Sequence, residues 1–206
     1  MTIDLLLNDA RERLLSRAKR EGLATVGYDV LASPLGPLWV AITPRGVATI
    51  HYGGEPPAGE LRRLVRVYGP GVVPDHKRSS ALARELDQYF RGRRSAFDID
   101  VDLSGLTLFQ RRVLAQTAKI PFGDLRTYRA IAKRIGNERA SRAVGGAVGA
   151  NPVPIIVPCH RVVATDGTLG GYAGGLAAKR TLLEIERGSA VPAGGWPPAT
   201  RPARRR

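Results

Sequence analysis

The sequence contains one cysteine, Cys159, and its neighbours are residues that can activate a thiol. Pro158 precedes it, and two basic residues, His160 and Arg161, follow it. The thiolate is the nucleophilic form of cysteine, and cationic or hydrogen-bonding neighbours lower the pKa of the thiol. His160 can take the thiol proton, and a carboxylate such as Glu186, on a later helix, can orient the imidazole. The alternative is that the cysteine is a small buried core residue, which is the commoner role of a lone cysteine.

The cysteine count and the hydropathy pattern exclude several classes of protein. One cysteine in 206 residues allows neither an intramolecular disulfide nor a cysteine-rich zinc site, and we expect no metal. No apolar run reaches the roughly 18–20 residues of a membrane span. Asp4, Asp9 and Glu12 interrupt the apolar stretch at the N-terminus, which is unlike a signal peptide. We therefore expect a cytoplasmic protein that makes no membrane contact.

The chain is strongly basic, with 32 lysines and arginines against 18 aspartates and glutamates, a formal charge of +14. Four of these charges come from the C-terminal arginines Arg201, Arg204, Arg205 and Arg206. The other 202 residues therefore still carry +10. This balance favours a polyanionic partner, most commonly nucleic acid. A basic protein from an arginine-rich proteome explains the charge equally well.

The first hundred residues have the pattern of a small sheet with helices. Asn8 or Asp9 can cap a helix that runs to about Gly22. Apolar side chains at helical spacing predict two further helices, around Leu64 and around Leu86. Alternating or continuous apolar residues bounded by turn chemistry predict strands at residues 26–33, 38–42 and 47–52.

The next segment is a connection to a second, mostly helical region. Residues 97–101 alternate apolar and acidic side chains, as in a half-buried strand or an extended linker. Thr127 can cap a short helix that Gly136 ends, and another short helix follows with Val144 and Val148 on one side. Two short helices joined by a glycine-containing turn outline a helix-turn-helix, which by itself is a weak signal.

The second short helix is unusually rich in glycine, with Gly145, Gly146 and Gly149. Each glycine costs about 1 kcal/mol relative to alanine in a helix interior. Such a helix is useful if a partner must approach its backbone closely. Tight helix packing explains the same residues equally well.

The segment that leads to the cysteine is rich in proline and apolar residues. Prolines at 152, 154 and 158 exclude a helix, and we expect a stiff, nearly extended segment that carries Cys159 into the interior. Residues 170–175 form a glycine-rich loop that fits neither nucleotide-binding pattern, so we expect no nucleotide cofactor. A last helix carries Leu182 and Ile185, and we expect disorder from Ser189 onward.

The segment Pro158-Cys159-His160-Arg161-Val162 resembles the active-site motif of the O6-alkylguanine-DNA alkyltransferases. The resemblance extends in order and spacing over roughly residues 104–187. Residues 33–38 and 46–48 resemble the N-terminal domain of that family less specifically. The other matching segments are Phe122-Gly123, Thr127-Tyr128, Gly136-Asn137, Arg142-Ala143-Val144-Gly145-Gly146-Ala147, Asn151-Pro152-Val153-Pro154 and Gly174-Gly175-Leu176-Ala177.

The resemblance implies an α/β fold in two domains. Residues 1–103 would form a ribonuclease H-like mixed sheet with helices, an extra N-terminal helix and a linker. Residues 104–188 would form a mostly helical, winged-helix-like alkyltransferase domain with a DNA-binding helix-turn-helix. Residues 189–206 would be a disordered basic tail.

The resemblance also implies direct-reversal DNA repair. An alkyl group would move from O6 of guanine, or O4 of thymine, in duplex DNA to Cys159. The protein would bind the minor groove, flip the damaged base out of the stack and react once, with irreversible self-inactivation. It would need no cofactor, and we expect a monomer that can bind DNA cooperatively.

Roles for individual residues follow from the same resemblance. Cys159 would be the nucleophile, His160 would take its proton through a bridging water, and Glu186 would orient His160. Asn151 would brace the active-site turn, and Tyr128 would contact the departing guanine and the adjacent phosphate.

The DNA contacts implied by the resemblance centre on Arg142. Its guanidinium would enter the base stack in place of the flipped base. Lys133, Arg134 and Arg139 would contact phosphates. Ala173 stands where some members have a serine, so we expect an altered rate or alkyl preference. Further contacts to DNA or substrate are predicted for Thr127, Arg129, Asn137, Ala140, Ser141, Gly145, Val148, Val162, Tyr172 and Ala173.

Three alternatives stay open from the sequence. A lesion-binding protein without transfer would share the fold, but the alkyltransferase-like proteins lack the reactive cysteine. A cysteine hydrolase would need His51 or His76 as its base and an oxyanion hole. A helix-turn-helix regulator would use Cys159 only for packing.

Overall fold

The structure of the protein is a computed structural model, which describes residues 3–188. A helix opens this part of the chain. This helix, α1, spans Ile3–Arg20, so the start predicted at Asn8 or Asp9 is wrong. The leucines at positions 5–7 have high helix propensity and extend the helix toward the N-terminus. Gly22, with φ of 71°, follows the end of α1 as predicted. The predicted disorder of residues 189–206 lies outside the described residues.

The first domain contains a mixed four-stranded sheet. Its strands are β1, Val26–Leu31, β2, Leu38–Thr43, β3, Gly46–Tyr52, and β4, Val72–Pro74. They lie in the order β3-β2-β1-β4. Strand β1 pairs antiparallel with β2 and parallel with β4, and β2 pairs antiparallel with β3. Strand β4 was not predicted, because it is only three residues long and ends in proline.

Two helices cover the sheet, one on each face. Helix α2, Glu60–Tyr68, packs Leu64 against Trp39. Helix α3, His76–Phe90, packs Leu86 against Val40 on the other face. Successive residues of β2 point to opposite faces, so both faces of this strand are buried and its sequence is apolar from Leu38 to Ile42. Both helices were predicted.

The connection between the domains is an extended linker rather than a strand. Val101 makes only an isolated bridge to Val47, with backbone hydrogen bonds from Val47 to Asp100 and from Asp102 to Val47. The apolar side chains of the linker, including Phe97, pack against the main core. Of the two forms that the sequence allowed, the structure has the linker.

The second domain is mostly helical. Its helices are α4, Leu108–Thr117, α5, Tyr128–Arg134, α6, Ser141–Gly149, and α7, Gly175–Glu186. Two short strands, β5, Arg126–Thr127, and β6, Val162–Val163, pair in parallel. Thr127 caps α5 through its hydroxyl, which accepts a hydrogen bond from Ala130 N at 3.1 Å, as predicted. Helices α5 and α6 form the predicted helix-turn-helix, joined by residues 135–140.

The segment before the cysteine is a compact turn, and the prediction of a nearly extended segment is wrong. Val157 N donates to Val153 O at 3.0 Å, and Ile155 has φ of 75°. Proline excludes a helix but is compatible with turns, and three prolines do not force an extended chain. We call residues 151–158 the active-site turn.

The two domains share one apolar core. Val153, Ile155 and Leu182 of the second domain pack with residues of the sheet and α3. Ile50 N on β3 donates to Pro152 O at 2.8 Å, which fixes the active-site turn to the sheet. The mixed α/β fold with a helical second domain is thus confirmed. No helix within residues 3–188 is both long and apolar enough to cross a bilayer.

Candidate active site

Cys159 begins a single turn of 3-10 helix, Cys159–Arg161, directly after the active-site turn. Asn151 holds this turn in shape from inside. Its Nδ2 donates to Val157 O at 2.9 Å, and its Oδ1 accepts from Val153 N at 3.1 Å. A β-branched residue at positive φ, such as Ile155, is strained, so the surrounding bonds must impose the conformation. The position of the sulfur therefore depends on a buried amide eight residues earlier.

The sulfur lies in a cavity of about 320 Å³, which we call the cysteine pocket. Cys159 is only 5% exposed. Burial raises the pKa of its thiol, and the hydrogen bond from Asn151 and the charge of Lys179 only partly offset this. The thiol is therefore protonated at neutral pH and needs a base. The pocket is lined by Tyr128, Gly145, Val148, Gly149, Asn151, Cys159, Gly171, Tyr172 and Ala173.

His160 is fully buried and paired with a carboxylate. Its Nε2 lies 2.7 Å from Oε1 of Glu186, so Nε2 carries the proton and donates it. Its Nδ1 is buried and has no hydrogen-bond partner among the described residues. Burial lowers the pKa of His160, although the hydrogen bond to Glu186 opposes this. His160 is thus a neutral imidazole with a lone pair on Nδ1, the form that a base requires.

Glu186 is held as an anion by four donor residues from three parts of the chain. Besides His160, they are Arg161 Nη2 at 2.9 Å, Tyr89 Oη at 2.6 Å and the Gly123 backbone N–H at 3.1 Å. Burial alone would raise the pKa of Glu186. The hydrogen bonds from His160 and Arg161 outweigh burial and lower the pKa to about 2. This carboxylate can orient His160 and stabilise its protonated form.

Lys179 is a buried lysine whose charge acts on the thiol of Cys159. Its side chain is fully buried, and Nζ donates to Val162 O at 2.6 Å and to Leu169 O. Burial lowers the pKa of Lys179, while the charge of an ionised Cys159 would raise it. This lysine therefore ties β6 to the loop after it and favours a thiolate.

Comparison with known proteins identifies the family. Residues 26–103 match the ribonuclease-like domain, and residues 108–188 the DNA-binding domain, of 6-O-methylguanine DNA methyltransferase. The chain is 41% identical over 168 residues to a methylated-DNA–protein-cysteine methyltransferase of Mycobacterium tuberculosis, covering 80% of this chain and 94% of that protein. The chain belongs to the 6-O-methylguanine DNA methyltransferase family. A relative of the same name from Methanosarcina barkeri is 39% identical over 160 residues, 77% of this chain and 96% of that protein.

Solved structures agree with this family membership. Mycobacterium tuberculosis OGT in complex with DNA superposes with a TM-score of 0.69 at 38% identity, covering 80% of this chain and 94% of that one. The O6-methylguanine-DNA methyltransferase of Pyrococcus kodakaraensis superposes with a TM-score of 0.57 at 27% identity, covering 78% of this chain and 98% of that one.

The site residues that the sequence predicted fall into two groups in the structure. The first surrounds the cysteine pocket and includes Tyr128, which is half-buried, and Val148, which is buried. Val162 is also buried, but it lies in β6 and does not line the pocket. His160 contacts Tyr172 of the pocket wall and pairs with Glu186. The predicted residues of this group thus come together although they are spread over about sixty positions of sequence.

The second group lies on the outer face of the helix-turn-helix. Arg142, the second residue of α6, is exposed, as are Arg129 and Asn137. Ala140 and Ser141 are partly exposed at the start of α6. The hydroxyl of Thr127 caps α5. Ala173 belongs to the first group, because it is an exposed residue that lines the pocket. The second group presents two arginine side chains and several small or polar residues to solvent.

The sequence did not predict the contacts of Tyr89, Tyr52 and Lys179 at the site. Arg161 was predicted as a basic neighbour of the cysteine, but its contact with Glu186 was not. A signal for Lys179 did exist, because it is seven residues before Glu186 on one helix face, with Leu182 between them. Tyr89 and Tyr52 come from the first domain, and no local pattern indicates a contact with a site about seventy or more positions later.

The two alternative bases for a hydrolase are engaged elsewhere. His76 Nδ1 lies 2.5 Å from Asp29 Oδ1. His51 Nε2 lies 2.9 Å from Thr49 Oγ1 and 3.4 Å from Glu60 Oε1. His160 is the histidine that pairs with a buried carboxylate next to the cysteine.

Proposed function

We propose that this protein repairs DNA by moving an alkyl group from O6 of guanine in duplex DNA to Sγ of Cys159. The observation that carries the proposal is the buried thiol in its own pocket, next to a neutral His160 and an ionised Glu186, in a member of this family. The methyl carbon of the lesion is a soft electrophile that suits a sulfur nucleophile. The lesion itself supplies the transferred group, so the reaction needs no cofactor.

The reaction begins with removal of the thiol proton. His160 takes it at Nδ1 through a bridging water, and Glu186 stabilises the imidazolium that forms. The thiolate attacks the alkyl carbon, the S–C bond forms, and the bond between that carbon and O6 breaks. The electron pair stays on the guanine, which gains a proton as negative charge develops. The Tyr128 phenol at the pocket wall is suited to assist this step.

The product is a thioether, so the reaction consumes the thiol of Cys159. No residue described in the pocket provides a second nucleophile that could release the alkyl group. We therefore propose one reaction per molecule, followed by permanent inactivation.

Access to the sulfur supports base flipping. The sulfur belongs to a residue that is 5% exposed, so a base within the duplex stack cannot reach it. Helix α6 presents Arg142 and small residues, which suit a minor groove only about 6 Å wide. In this proposal Arg142 fills the gap that the flipped base leaves, and the exposed Arg129 and Asn137 contact the backbone of the DNA.

The finer parts of the proposal follow the family resemblance. They are activity on O4 of thymine, a monomer that can bind DNA cooperatively, a cytoplasmic location, and domain limits at residues 103 and 188. Ala173 offers a backbone N–H but no hydroxyl to the lesion, which supports a difference in rate or alkyl preference.

A duplex with a labelled O6-methylguanine tests the proposal. We expect the label to move to the protein, to stop at about one label per molecule, and to be absent in Cys159→Ala. The matched control Cys159→Ala keeps a small apolar side chain and should still bind the duplex. Tight lesion binding by the wild type without transfer would favour a lesion-binding protein. Repeated turnover would contradict a consumed thiol and favour a hydrolase.

A further inference from the structure

One wall of the cysteine pocket belongs to the loop over residues 170–175, which we call the glycine loop. The sequence of this loop does little to fix its backbone conformation. Four of its six residues are glycine. Glycine loses more conformational entropy on ordering than any other residue, so such a loop needs outside contacts to keep one shape. Tyr172 is the one large side chain in the loop, and it lines the pocket.

Tyr52 of the first domain makes these outside contacts. It is the last residue of β3, and its hydroxyl lies 2.6 Å from the hydroxyl of Tyr172. The two rings meet edge to face with centroids 5.9 Å apart. The ring of Tyr52 also lies directly on the loop backbone, because a Cβ added at Gly174 would be 2.7 Å from it. Tyr52 therefore contacts the glycine loop at two separate points.

Tyr172 in turn connects the loop to the reacting groups. Its ring stands perpendicular to the ring of His160, with centroids 6.4 Å apart. Burial raises the pKa of Tyr172 well above its ordinary value, so its hydroxyl stays protonated and available for hydrogen bonding. The position of Tyr172 is thus set from one side by Tyr52 and affects the pocket on the other.

We propose that Tyr52 is a positioning residue for the lesion pocket, which holds Tyr172 and the glycine loop in their binding position before substrate arrives. This inference rests on the proposed function. Its physical basis is preorganisation, because a loop that is already ordered loses less entropy when it binds a ligand. The first domain thereby contributes to substrate affinity although it supplies no reacting atom.

The test is the Tyr52→Phe variant, which keeps the ring and removes the hydroxyl. Alkylation by free O6-benzylguanine is followed at increasing concentration, which separates half-saturation from the limiting rate. A net hydrogen bond is worth about 1 kcal/mol, so we expect the half-saturating concentration to rise about fivefold. The limiting rate should stay within about twofold, since the reacting groups are unchanged. A loss of folded protein would instead lower the amplitude of the reaction.

Tyr28→Phe is the matched control, because Tyr28 lies on β1 of the same sheet and stacks on Trp39. The double variant Tyr52→Phe with Tyr172→Phe should bind no more weakly than Tyr172→Phe alone, since the Tyr52 hydroxyl then has lost its partner. Hydrogen exchange of the glycine-loop amides should accelerate in Tyr52→Phe and not in Tyr28→Phe. That measurement needs no substrate.

Three results would overturn the inference. Unchanged half-saturation in Tyr52→Phe, with an active wild type, would reject it and leave the proposed function standing. An added loss in the double variant would show that Tyr52 acts independently of Tyr172 and would reject the pairing. A wild type that accepts no alkyl group would reject the proposed function, and the inference with it.

Discussion

His160 and Cys159 must be considered together, since burial has opposite effects on them. Burial raises the pKa of the thiol and lowers that of the imidazole, so both groups are neutral at rest. The ion pair forms only when the proton moves, and Glu186 is already charged to stabilise it. A resting thiol is less exposed to adventitious oxidation than a thiolate. A protonated resting thiol therefore suits the single reaction per molecule that we propose.

The pH dependence of alkylation tests this account. In the wild type the rate should stay level above pH 6.5, because the pKa of His160 lies below that ordinary value, and should fall as the imidazole protonates at lower pH. In His160→Gln the rate at neutral pH should drop roughly 100-fold. It should then rise with pH, as hydroxide forms the thiolate of a thiol whose pKa is raised.

Rates with free O6-benzylguanine at several pH values provide the measurement. His76→Gln is the control, because His76 pairs with Asp29 in the first domain. A His160→Gln variant with the level profile of the wild type would mean that another group takes the proton.

At the scale of elements, the sequence predicted what local chemistry determines. The cap at Thr127, the end of α5 at Gly136 and the apolar faces of the helices each depend on a few neighbouring residues. The active-site turn was predicted wrongly, because its shape depends on a side-chain amide and on Ile50 of another domain. Strand β4 exists only because β1 offers it a partner.

Asn151→Ala tests how far the active-site turn depends on that amide. The change leaves the Val153 N–H buried without its partner, at a cost of about 1–3 kcal/mol. It also removes one of the two hydrogen bonds to the Val157 carbonyl, worth about 1 kcal/mol, since Cys159 N still donates to that oxygen. We expect the free energy of unfolding in urea to fall by about 2–4 kcal/mol. Asn137→Ala, at an exposed position, should change it by less than about 0.5 kcal/mol. Equal stability of the two variants would mean that the turn holds without the amide.

A prediction about DNA binding concerns Arg142 in helix α6. Arg142→Ala should slow alkylation by duplex O6-methylguanine roughly tenfold or more, because in the proposed mechanism this side chain fills the gap that the flipped base leaves. The reaction with free O6-benzylguanine should be unchanged, since Arg142 is exposed and does not line the pocket. Arg66→Ala, an exposed arginine in the last turn of α2, controls for the loss of one positive charge. Equal losses on both substrates would contradict the flipping role.

At the scale of the whole molecule, Glu186 joins elements that are distant in sequence. Tyr89 of α3, Gly123 of the loop before α5, and the turn with His160 and Arg161 all donate to it. Family resemblance predicted the carboxylate and its histidine, but the contact with the first domain depends on how the two domains pack. The same packing brings Tyr52 to the glycine loop. The first domain therefore forms part of the active site's supporting structure.

Unfolding at acid pH measures how much the ionised Glu186 and its hydrogen-bond donors contribute to stability. The pKa of Glu186 falls from 4.5 to about 2 on folding. Its contribution, about 3 kcal/mol, is therefore complete above pH 4.5 and is lost as the pH falls toward 2. Glu186→Gln should unfold at lower urea at neutral pH, and more so because it leaves Arg161 buried without a counter-charge. The difference from wild type should shrink as the pH falls from 4.5 toward 2.

Glu184→Gln is the matched control, because Glu184 is exposed on the same helix and its loss should change little at either pH. If Glu186→Gln remains destabilised by the same amount at every pH, the deficit comes from packing and not from the charge. If instead the difference follows the titration of Glu186, the groups that keep its pKa low also stabilise the fold. The ionised Glu186 would then have two roles, because it would support His160 in the reaction and stabilise the packing of the two domains.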